Sequence, residues 1–329
     1  MRVLVALAAV VALLVAVSVG IDVLGWRWLF GVIVPYSAGL LFLVGIVARV
    51  LDWASSPVPF RVPTTCGQQR SLAWIPPARL DNPSTTLGVA GRMALEVLAF
   101  RSLFRNIRSE VRDGRLAHGS NKWLWLGGLA FHWSLLFVLL RHLRFATEPV
   151  PRFVLGVTRV DGFLQVGLPV VNASTALFVA ALAFLFLRRV TSPQLRYISL
   201  PSDYFSLFLL LAVGASGIFL RHFAKVDVPA AKALVLGLMS LSPRPPAALG
   251  SAFYAHLFLV SVLLAYLPFS KLAHMAGIFL SPTRNLANDS RARRHVNPWN
   301  HPVSVHTYEE YEDEFRERMR EAGLPLEKE

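Results

Sequence analysis

The chain has 329 residues, of which 54% are hydrophobic and only 16% are charged. Several apolar runs reach the roughly 20 residues that a helix needs to cross a bilayer, which indicates an integral membrane protein rather than a soluble domain. The single cysteine, Cys66, excludes an internal disulfide and a cysteine-held iron–sulfur cluster within the chain. The net charge of +13 lies in loops between apolar runs, where membrane topology explains it better than nucleic-acid binding.

Two apolar runs come first in the chain. Residues 3–19 are almost wholly apolar behind Arg2, and residues 27–50 follow after a short polar break. A signal peptide is the alternative for the first run, because Ala16-Val17-Ser18 places small residues where a signal peptidase would cut. We favour a retained span, since the run is long and only one charge precedes it. The short break then predicts a transmembrane hairpin over residues 1–50.

A polar segment, residues 51–121, separates this hairpin from the next apolar run. Its first half is rich in proline and glycine, and its second half has apolar residues every three or four positions with arginines between them. Over residues 88–111 the pattern predicts a basic amphipathic helix that lies in the headgroup region or docks a partner, or a solvated helix on the bundle. The apolar residues are Val89, Met93, Val97, Phe100, Phe104, Ile107 and Val111, and the arginines are Arg92, Arg101, Arg105, Arg108 and Arg112.

Four more spans predict a helical bundle over residues 122–280, followed by a polar tail, residues 281–329. The spans are expected at 122–143, 165–187, 202–220 and 251–280. The fifth span contains Gly214-Ala215-Ser216-Gly217, small residues that allow close approach of a neighbouring helix or a cofactor. The sixth contains Pro268, which is expected to kink it. The predicted fold class is therefore all-α, an integral membrane bundle of six transmembrane helices.

The distribution of positive charge orients this bundle. With six spans both termini lie on one side, and that side holds most of the 33 Lys and Arg residues. The short loop after the fourth span carries Arg188, Arg189 and Arg196, as expected of a cytoplasmic loop. We therefore expect a multi-pass protein of the cytoplasmic (inner) membrane, with both termini, the polar segment and the tail in the cytoplasm.

Four histidines lie within two of the membrane-length runs. His132 and His142 are 10 positions apart in the third span, and His256 and His274 are 18 positions apart in the sixth. Eighteen residues are about five helical turns, so both imidazoles of the sixth span are expected on one side of one helix, roughly 27 Å apart. Ionisable groups inside a membrane are costly and usually functional.

Because two other spans separate the third span from the sixth, these two run antiparallel and the histidines pair by depth. His132 pairs with His274 on the cytoplasmic side, and His142 pairs with His256 on the outer side. Each pair offers two neutral imidazoles to opposite faces of a haem, which gives a six-coordinate iron suited to electron transfer. No Cys-x-x-Cys-His motif occurs, so two non-covalent b haems are expected.

The same histidines are open to other interpretations. Zinc or copper would need three or four of them within a few ångströms, which the 18-residue spacing opposes. A proton-coupled secondary transporter with relaying histidines is a second alternative, and a membrane anchor subunit without haem is a third. Any single histidine is ordinarily a buried imidazole whose hydrogen bonds are made within the protein, and only the complete set favours haem.

Three cations near the histidines are candidate partners for haem propionates. Arg141 and Arg144 flank His142, and Lys271 lies one turn before His274. Long cationic side chains at a membrane interface also snorkel toward water, and that alternative stays open.

A polar group at the outer end of the fifth span is a candidate quinone site. A quinone headgroup needs hydrogen-bond partners and a proton acceptor where lipid meets water, and His222, Lys225 and Asp227 could supply them. Ordinary loop polarity is the alternative.

The histidine spacing resembles that of a known family. Pairs 10 and 18 positions apart on two spans resemble the membrane cytochrome b (gamma) subunit of respiratory nitrate reductase, over residues 90–280. Three further stretches resemble the DsrM-type cytochrome b of the sulfite-reductase-linked DsrMKJOP complex, and the cytochrome b of membrane heterodisulfide reductases. They are PFRVPTTCGQQ at residues 59–69, DNP at residues 81–83 and FRSLFRN at residues 100–106.

The resemblance implies two b haems ligated by His132, His142, His256 and His274. It implies electron exchange with menaquinone or ubiquinone near the outer haem, in a respiratory complex of sulfur metabolism. The implied partners are a cytoplasmic iron–sulfur subunit resembling heterodisulfide reductase, a periplasmic multihaem cytochrome c, a periplasmic iron–sulfur subunit and a second quinone-interacting membrane subunit. The first two spans depart from the nitrate reductase pattern, so its quinone-site residues are not carried over.

Overall fold

The computed structural model describes residues 1–56, 67–112, 114–163, 165–166, 170–281, 284–292 and 305–328. The helices are α1 (Arg2–Asp22), α2 (Val34–Ser55, after a π-helical turn at Leu29–Ile33), α3 (Thr86–Ala99), α4 (Arg101–Arg105), α5 (Lys122–Ala146), α6 (Arg152–Phe163), α7 (Ala173–Thr191), α8 (Pro193–Ile198), α9 (Pro201–His222), α10 (Val228–Met239), α11 (Ser251–Tyr266), α12 (His274–Leu280) and α13 (Tyr308–Glu321). The strands are β1 (Ile107–Arg112), β2 (Arg115–Ser120), β3 (Gln165–Val166) and β4 (Val171–Asn172).

Six helices in the described residues are long and apolar enough to cross a membrane. They are α1, α2 with its π-helical turn, α5, α7, α9, and α11 with a 3-10 turn at its end. The side chains buried between these helices are mostly apolar. The outer faces of the helices expose many large hydrophobic side chains, as expected where lipid replaces water. The predicted class, an all-α bundle of six transmembrane helices, is confirmed.

The first apolar run packs into the core of this bundle. α1 lies against α9 and α11, where Val10 meets Leu209 and Leu259 in a fully buried cluster. At its N-terminus the Arg2 guanidinium donates hydrogen bonds to the carbonyl oxygens of Tyr197 (2.9 Å) and Ser199 (2.8 Å) at the end of α8. These contacts integrate the helix with the other spans, and its retention in the mature protein stays a prediction.

The small residues of the fifth span allow close helix packing, as predicted. A Cβ atom at Gly214 would lie 3.1 Å from the Phe178 ring of α7, and one at Gly217 would lie 3.4 Å from the His256 ring of α11. Larger side chains at either position would push the neighbouring helix away.

The fourth span begins later than predicted. We expected a start at residue 165, whereas α7 begins at Ala173. The backbone N–H of Ser174 donates to the Asp161 carboxylate (3.0 Å). A side chain from α6 therefore supplies the acceptor for a backbone N–H that has no partner within the first turn of α7.

The sixth span is not one continuous helix, contrary to our prediction. α11 runs into a 3-10 turn at Leu267–Phe269, and Ser270 is then extended (φ −117°, ψ 175°) before α12 begins. Pro268 has no N–H to donate to the preceding turn, and the Ser270 hydroxyl caps the segment that follows. His256 and His274 therefore lie on different helices, and the prediction that they are five turns apart on one helix was wrong.

The amphipathic helix predicted over residues 88–111 is also shorter than expected. α3 ends at Ala99, where Phe100 adopts a left-handed conformation (φ 51°). After the short α4, residues 107–120 form the antiparallel hairpin β1–β2, with Gly114 (φ 73°) in its turn. Charged residues occupy every second position of β1, a period that fits a strand, and the glycine allows the positive φ of the turn.

Asp81 joins the polar segment to its helices. Its carboxylate accepts a hydrogen bond from Arg101 (3.1 Å) and forms an ion pair with Arg105, and its carbonyl oxygen accepts from Arg92 (2.7 Å). The Arg105 hydrogen bond contributes most to lowering the pKa of Asp81 below its ordinary value. Arg92, expected on an exposed helix surface, is buried by this contact.

We expect Asp81→Asn to loosen the polar segment by about 1 kcal/mol, because partly exposed ion pairs contribute on that order. The folded-state pKa of Asp81 lies below its ordinary value of 3.8, so the stabilisation is present above pH 3.8 and is lost as the pH falls through the folded value. Hydrogen exchange of peptides from residues 67–105 should be faster in the variant at pH 7. Asp313→Asn, on an exposed helix, is the control, and equal exchange in all three proteins would contradict this.

We expect Gly214→Val to destabilise the bundle by about 1–3 kcal/mol, because the added side chain overlaps Phe178. Gly39→Val is the matched control in another membrane helix, since nothing lies within 4 Å of a Cβ atom there. Thermal unfolding in detergent measures both, and equal losses would show that helix propensity rather than packing is responsible.

Candidate functional site: two histidine pairs

The inner pair, His132 and His274, lies at the end of the bundle that carries both termini. The ring centres of α5 His132 and α12 His274 are 5.9 Å apart, with the ring planes at 80°. Phe100 from the polar segment and Phe131 pack edge-on against the His132 ring, with centres 4.9 and 4.8 Å away. The left-handed residue that ends α3 therefore places an aromatic ring against this pair.

The outer pair, His142 and His256, lies at the opposite end of the bundle. His142 is in the last turns of α5 and His256 in the first turns of α11, and their ring centres are 6.4 Å apart with the planes at 25°. Both pairs are the ones that the antiparallel arrangement predicts. The break in the sixth span leaves the pairing unchanged, because His274 at the start of α12 still lies beside His132.

Three of the four histidines direct Nδ1 to a backbone carbonyl oxygen. The contacts are His132 with Gly128 (2.7 Å), His142 with Val138 (2.7 Å) and His274 with Lys271 (2.8 Å). A carbonyl oxygen only accepts hydrogen bonds, so Nδ1 must carry the ring hydrogen in each case. The other ring nitrogen, Nε2, is then left with a free lone pair, the arrangement typical of a metal-bound histidine.

The fourth histidine reaches the same state through Ser216 of α9. The Ser216 hydroxyl donates to the carbonyl oxygen of Val213 (3.0 Å) and lies 2.8 Å from Nδ1 of His256. When its one hydrogen is donated to Val213, the hydroxyl accepts the Nδ1 hydrogen of His256, and Nε2 is free as in the other three rings. Sequence reasoning noted Ser216 only for its small size, since nothing in the sequence places it beside a histidine 40 positions away.

The distance between the ring centres of each pair fits a metal ion between two imidazoles. Nitrogens about 2 Å from a metal and on opposite sides of it place the ring centres about 6 Å apart, and the pairs have 5.9 and 6.4 Å. Within the described residues no three His, Cys, Asp or Glu side chains form a metal-binding group. The arrangement thus favours two centres with two protein ligands each over one zinc or copper site.

Two of the candidate propionate partners are engaged with aspartates. Arg141 forms an ion pair with Asp161 (2.7 Å) and donates to the Thr175 hydroxyl (3.0 Å). Lys271 forms an ion pair with Asp203 (2.8 Å). A contact from either cation to a propionate stays a prediction, and it would have to share the cation with the aspartate.

The third candidate, Arg144, lies at a cavity. It lines a cavity of about 170 Å³ between the end of α5 and α6, together with Val150, Leu155, Thr158 and Arg159. Its role with a propionate also stays a prediction.

The candidate quinone residues lie in one loop at the outer end of the bundle. His222 is the last residue of α9, and Asp227 caps α10 by accepting from the N–H of Ala230 (3.0 Å). Lys225 adopts a left-handed backbone conformation (φ 46°) between them. No hydrogen bond or ion pair joins the three side chains in the part of the chain that the structure describes. The cap gives Asp227 a structural role, and the quinone role of the group stays a prediction.

Two stretches that carry the family resemblance meet beside the inner pair. The Asp81 carboxylate binds the residues that follow Phe100, and Phe100 packs on His132. On the other side, Asn82 and the Pro83 carbonyl oxygen bind the tail, through the side chain (2.8 Å) and backbone N–H (2.7 Å) of Asn288. Residues 81–83 of the polar segment and Asn288 of the tail thus meet at this end of the bundle. Residues 59–66 of the first stretch, which include Cys66, lie outside the described residues.

Comparison with known proteins adds independent findings. A profile of the nitrate reductase gamma subunit family matches residues 105–291, more than half of the chain and all four histidines. A protein named Hdr-like menaquinol oxidoreductase cytochrome b-like subunit, from Archaeoglobus fulgidus, is 47% identical over 284 residues, which cover 84% of this chain and 85% of that protein. Its namesake from Archaeoglobus profundus is 40% identical over 277 residues, covering 80% of this chain and 81% of the relative.

Proposed function

Because this chain belongs to the nitrate reductase gamma subunit family, we propose that it is a membrane diheme cytochrome b that carries electrons between a quinone and an iron–sulfur partner. His132 and His274 would hold the inner haem, and His142 and His256 the outer one. The observation that carries the proposal is the presence of two imidazole pairs about 6 Å apart, each with its Nδ1 hydrogens already donated. When bound, the haems supply one-electron redox chemistry at irons with no open coordination position.

The residues around each pair prepare the imidazoles for this role. Hydrogen bonds at Nδ1 hold each ring in one tautomer and one orientation, so that the free Nε2 is already in the ligand form. Since each pair joins α5 to the sixth span or its extension, a bound haem would also link these elements and stabilise the folded bundle.

Menaquinone is the quinone that we propose. Both relatives carry the name menaquinol oxidoreductase, which supports menaquinone over ubiquinone. The proposed exchange site lies at the outer end of the bundle, near His142 and His256, with His222, Lys225 and Asp227 as candidate headgroup contacts. The excess of positive charge on the side of the termini supports a cytoplasmic location for that side.

We propose that the inner haem faces a cytoplasmic iron–sulfur subunit resembling heterodisulfide reductase. The Hdr-like name of the relatives supports this, and the surface where Asn82 of the polar segment meets Asn288 of the tail is linked to the inner pair through Phe100. The remaining proposed partners are a periplasmic multihaem cytochrome c, a periplasmic iron–sulfur subunit and a second quinone-interacting membrane subunit. The stretches at residues 81–83 and 100–106 favour a sulfur-metabolism complex of the DsrMKJOP type.

The proposal is tested by the visible spectrum and haem content of the purified protein. We expect a reduced-minus-oxidised b-type spectrum and two haems per chain. His142→Ala or His256→Ala should remove one haem and leave the other, because each pair shares no ligand with the other pair. His118→Ala, in the exposed hairpin, should keep both.

Two results would contradict this assignment. A colourless protein after haem-replete expression would refute the cytochrome function, and loss of both haems from each single variant would refute the pairing. A proton-coupled transporter or an anchor subunit without haem predicts the colourless outcome.

We expect a menaquinol analogue to reduce the haems of the purified protein, and His222→Ala to slow this reduction at least about tenfold if the imidazole accepts a quinol proton. Stopped-flow absorbance at the b-type band measures the rate. His306→Ala, near the start of the exposed tail helix α13, is the control. An unchanged rate in His222→Ala would move the quinone site away from this loop.

A further inference from the structure

Beside each histidine pair lies a cation that forms an ion pair with an aspartate, and that aspartate also accepts a hydrogen bond from a backbone N–H at the start of a span. The two arrangements lie at opposite ends of the bundle, and their ion pairs share no residue. The inference drawn from them rests on the proposed diheme function and concerns the charge next to each haem.

At the inner pair, an ion pair joins Asp203 to Lys271, and a hydrogen bond joins Lys271 to His274. The Asp203 carboxylate, 7% exposed, pairs with the Lys271 ammonium (2.8 Å), while the carbonyl oxygen of Lys271 accepts the Nδ1 hydrogen of His274 (2.8 Å). The other oxygen of Asp203 accepts from the N–H of Leu200 (2.9 Å) at the start of α9 and lies 3.6 Å from Arg189. Asp203 therefore anchors the segment after the break in the sixth span to α9.

At the outer pair, the connection runs from Asp161 through Arg141 to the adjacent His142. The Asp161 carboxylate is 3% exposed and Arg141 is 12% exposed, so both charges are shielded from water. The carboxylate also accepts from the hydroxyl (2.6 Å) and N–H (3.0 Å) of Ser174 and from the Asn172 amide (3.4 Å). Four contacts hold this carboxylate, and its position is therefore set by α5, α6 and α7 together.

We propose that Asp203 and Asp161 are positioning residues that set the local charge beside the inner and the outer haem respectively. Each carboxylate compensates the cation next to a ligand histidine and holds that cation in place. Neither aspartate contacts a ligand imidazole, so each acts through Lys271 or Arg141. The two haems can then be tuned separately, because the two charge pairs share no residue.

The sign of the expected effect follows from electrostatics. Removing a negative charge near an iron centre favours the reduced form, which carries one positive charge fewer, and raises the midpoint potential. Removing the paired cation does the opposite. The charges of Arg141 and Asp161 are shielded from water and weakly screened, whereas the Lys271 side chain is 77% exposed and its charge is screened more strongly.

The test is a redox titration of purified, haem-loaded variants that resolves the two haems. Asp203→Asn should raise the inner potential and Lys271→Gln should lower it, each by about threefold or more in the ratio of reduced to oxidised haem, or about 30 mV for one electron. The outer potential should not move. Asp203→Glu, which retains the charge, should restore the inner potential toward that of the unmodified protein.

The outer pair supplies the mirror experiment. Asp161→Asn should raise only the outer potential, and Arg141→Gln should lower it. Because an unpaired buried arginine can prevent folding, the double variant Asp161→Asn/Arg141→Gln removes both charges and should give an outer potential between those of the single variants. Glu148→Gln, which removes an exposed carboxylate paired with Lys232, is the matched control and should change neither potential.

Several outcomes would overturn the proposal. They are equal shifts of both haems, shifts of the same sign from the aspartate and the cation variants, and an unchanged inner potential in Asp203→Asn. A shift in Lys271→Gln alone would show that the cation acts without the aspartate, for example on a propionate. An unmodified protein without haem would instead refute the proposed function itself.

Discussion

The hydrogen bond at Nδ1 of each histidine is the interaction on which the candidate site depends. A neutral imidazole has one ring hydrogen, and the chain places an acceptor at Nδ1 in all four cases. Three acceptors are carbonyl oxygens one helical turn earlier, which any helix offers, while the fourth is the hydroxyl of Ser216 on another span. This arrangement leaves Nε2 available in each ring, which makes both pairs suitable for a metal-centred cofactor.

Charge is kept to the ends of the bundle, because an unpaired ion in the apolar interior would cost several kcal/mol. The carboxylates of Asp161 and Asp203 each accept a hydrogen bond from a backbone N–H at the start of a span and also neutralise a cation next to a paired histidine. The same side chains therefore define where α7 and α9 begin and what charge lies beside each pair. Structural and electrostatic roles coincide at these two positions.

The break in the sixth span shows how local and tertiary effects combine. Pro268 removes one backbone hydrogen bond, which by itself predicts only a kink. The extended backbone of Ser270 separates α11 from α12, and the ion pair from Lys271 to Asp203 anchors the segment after this break. Phe100, in its left-handed conformation, packs against His132 from the polar segment. The inner pair is thus assembled from four separate segments of the chain.

The sequence alone determined the six apolar spans, the four histidines and their pairing by depth, because hydrophobic length and the order of antiparallel spans are local and topological properties. It also predicted the close packing at Gly214, since a glycine in a membrane helix removes the side chain that keeps helices apart. Tertiary structure decided the hairpin at residues 107–120, the break at Ser270 and the partners of Asp161 and Asp203. Those features depend on contacts between residues distant in the chain, and a spacing rule for a single helix contains no information about them.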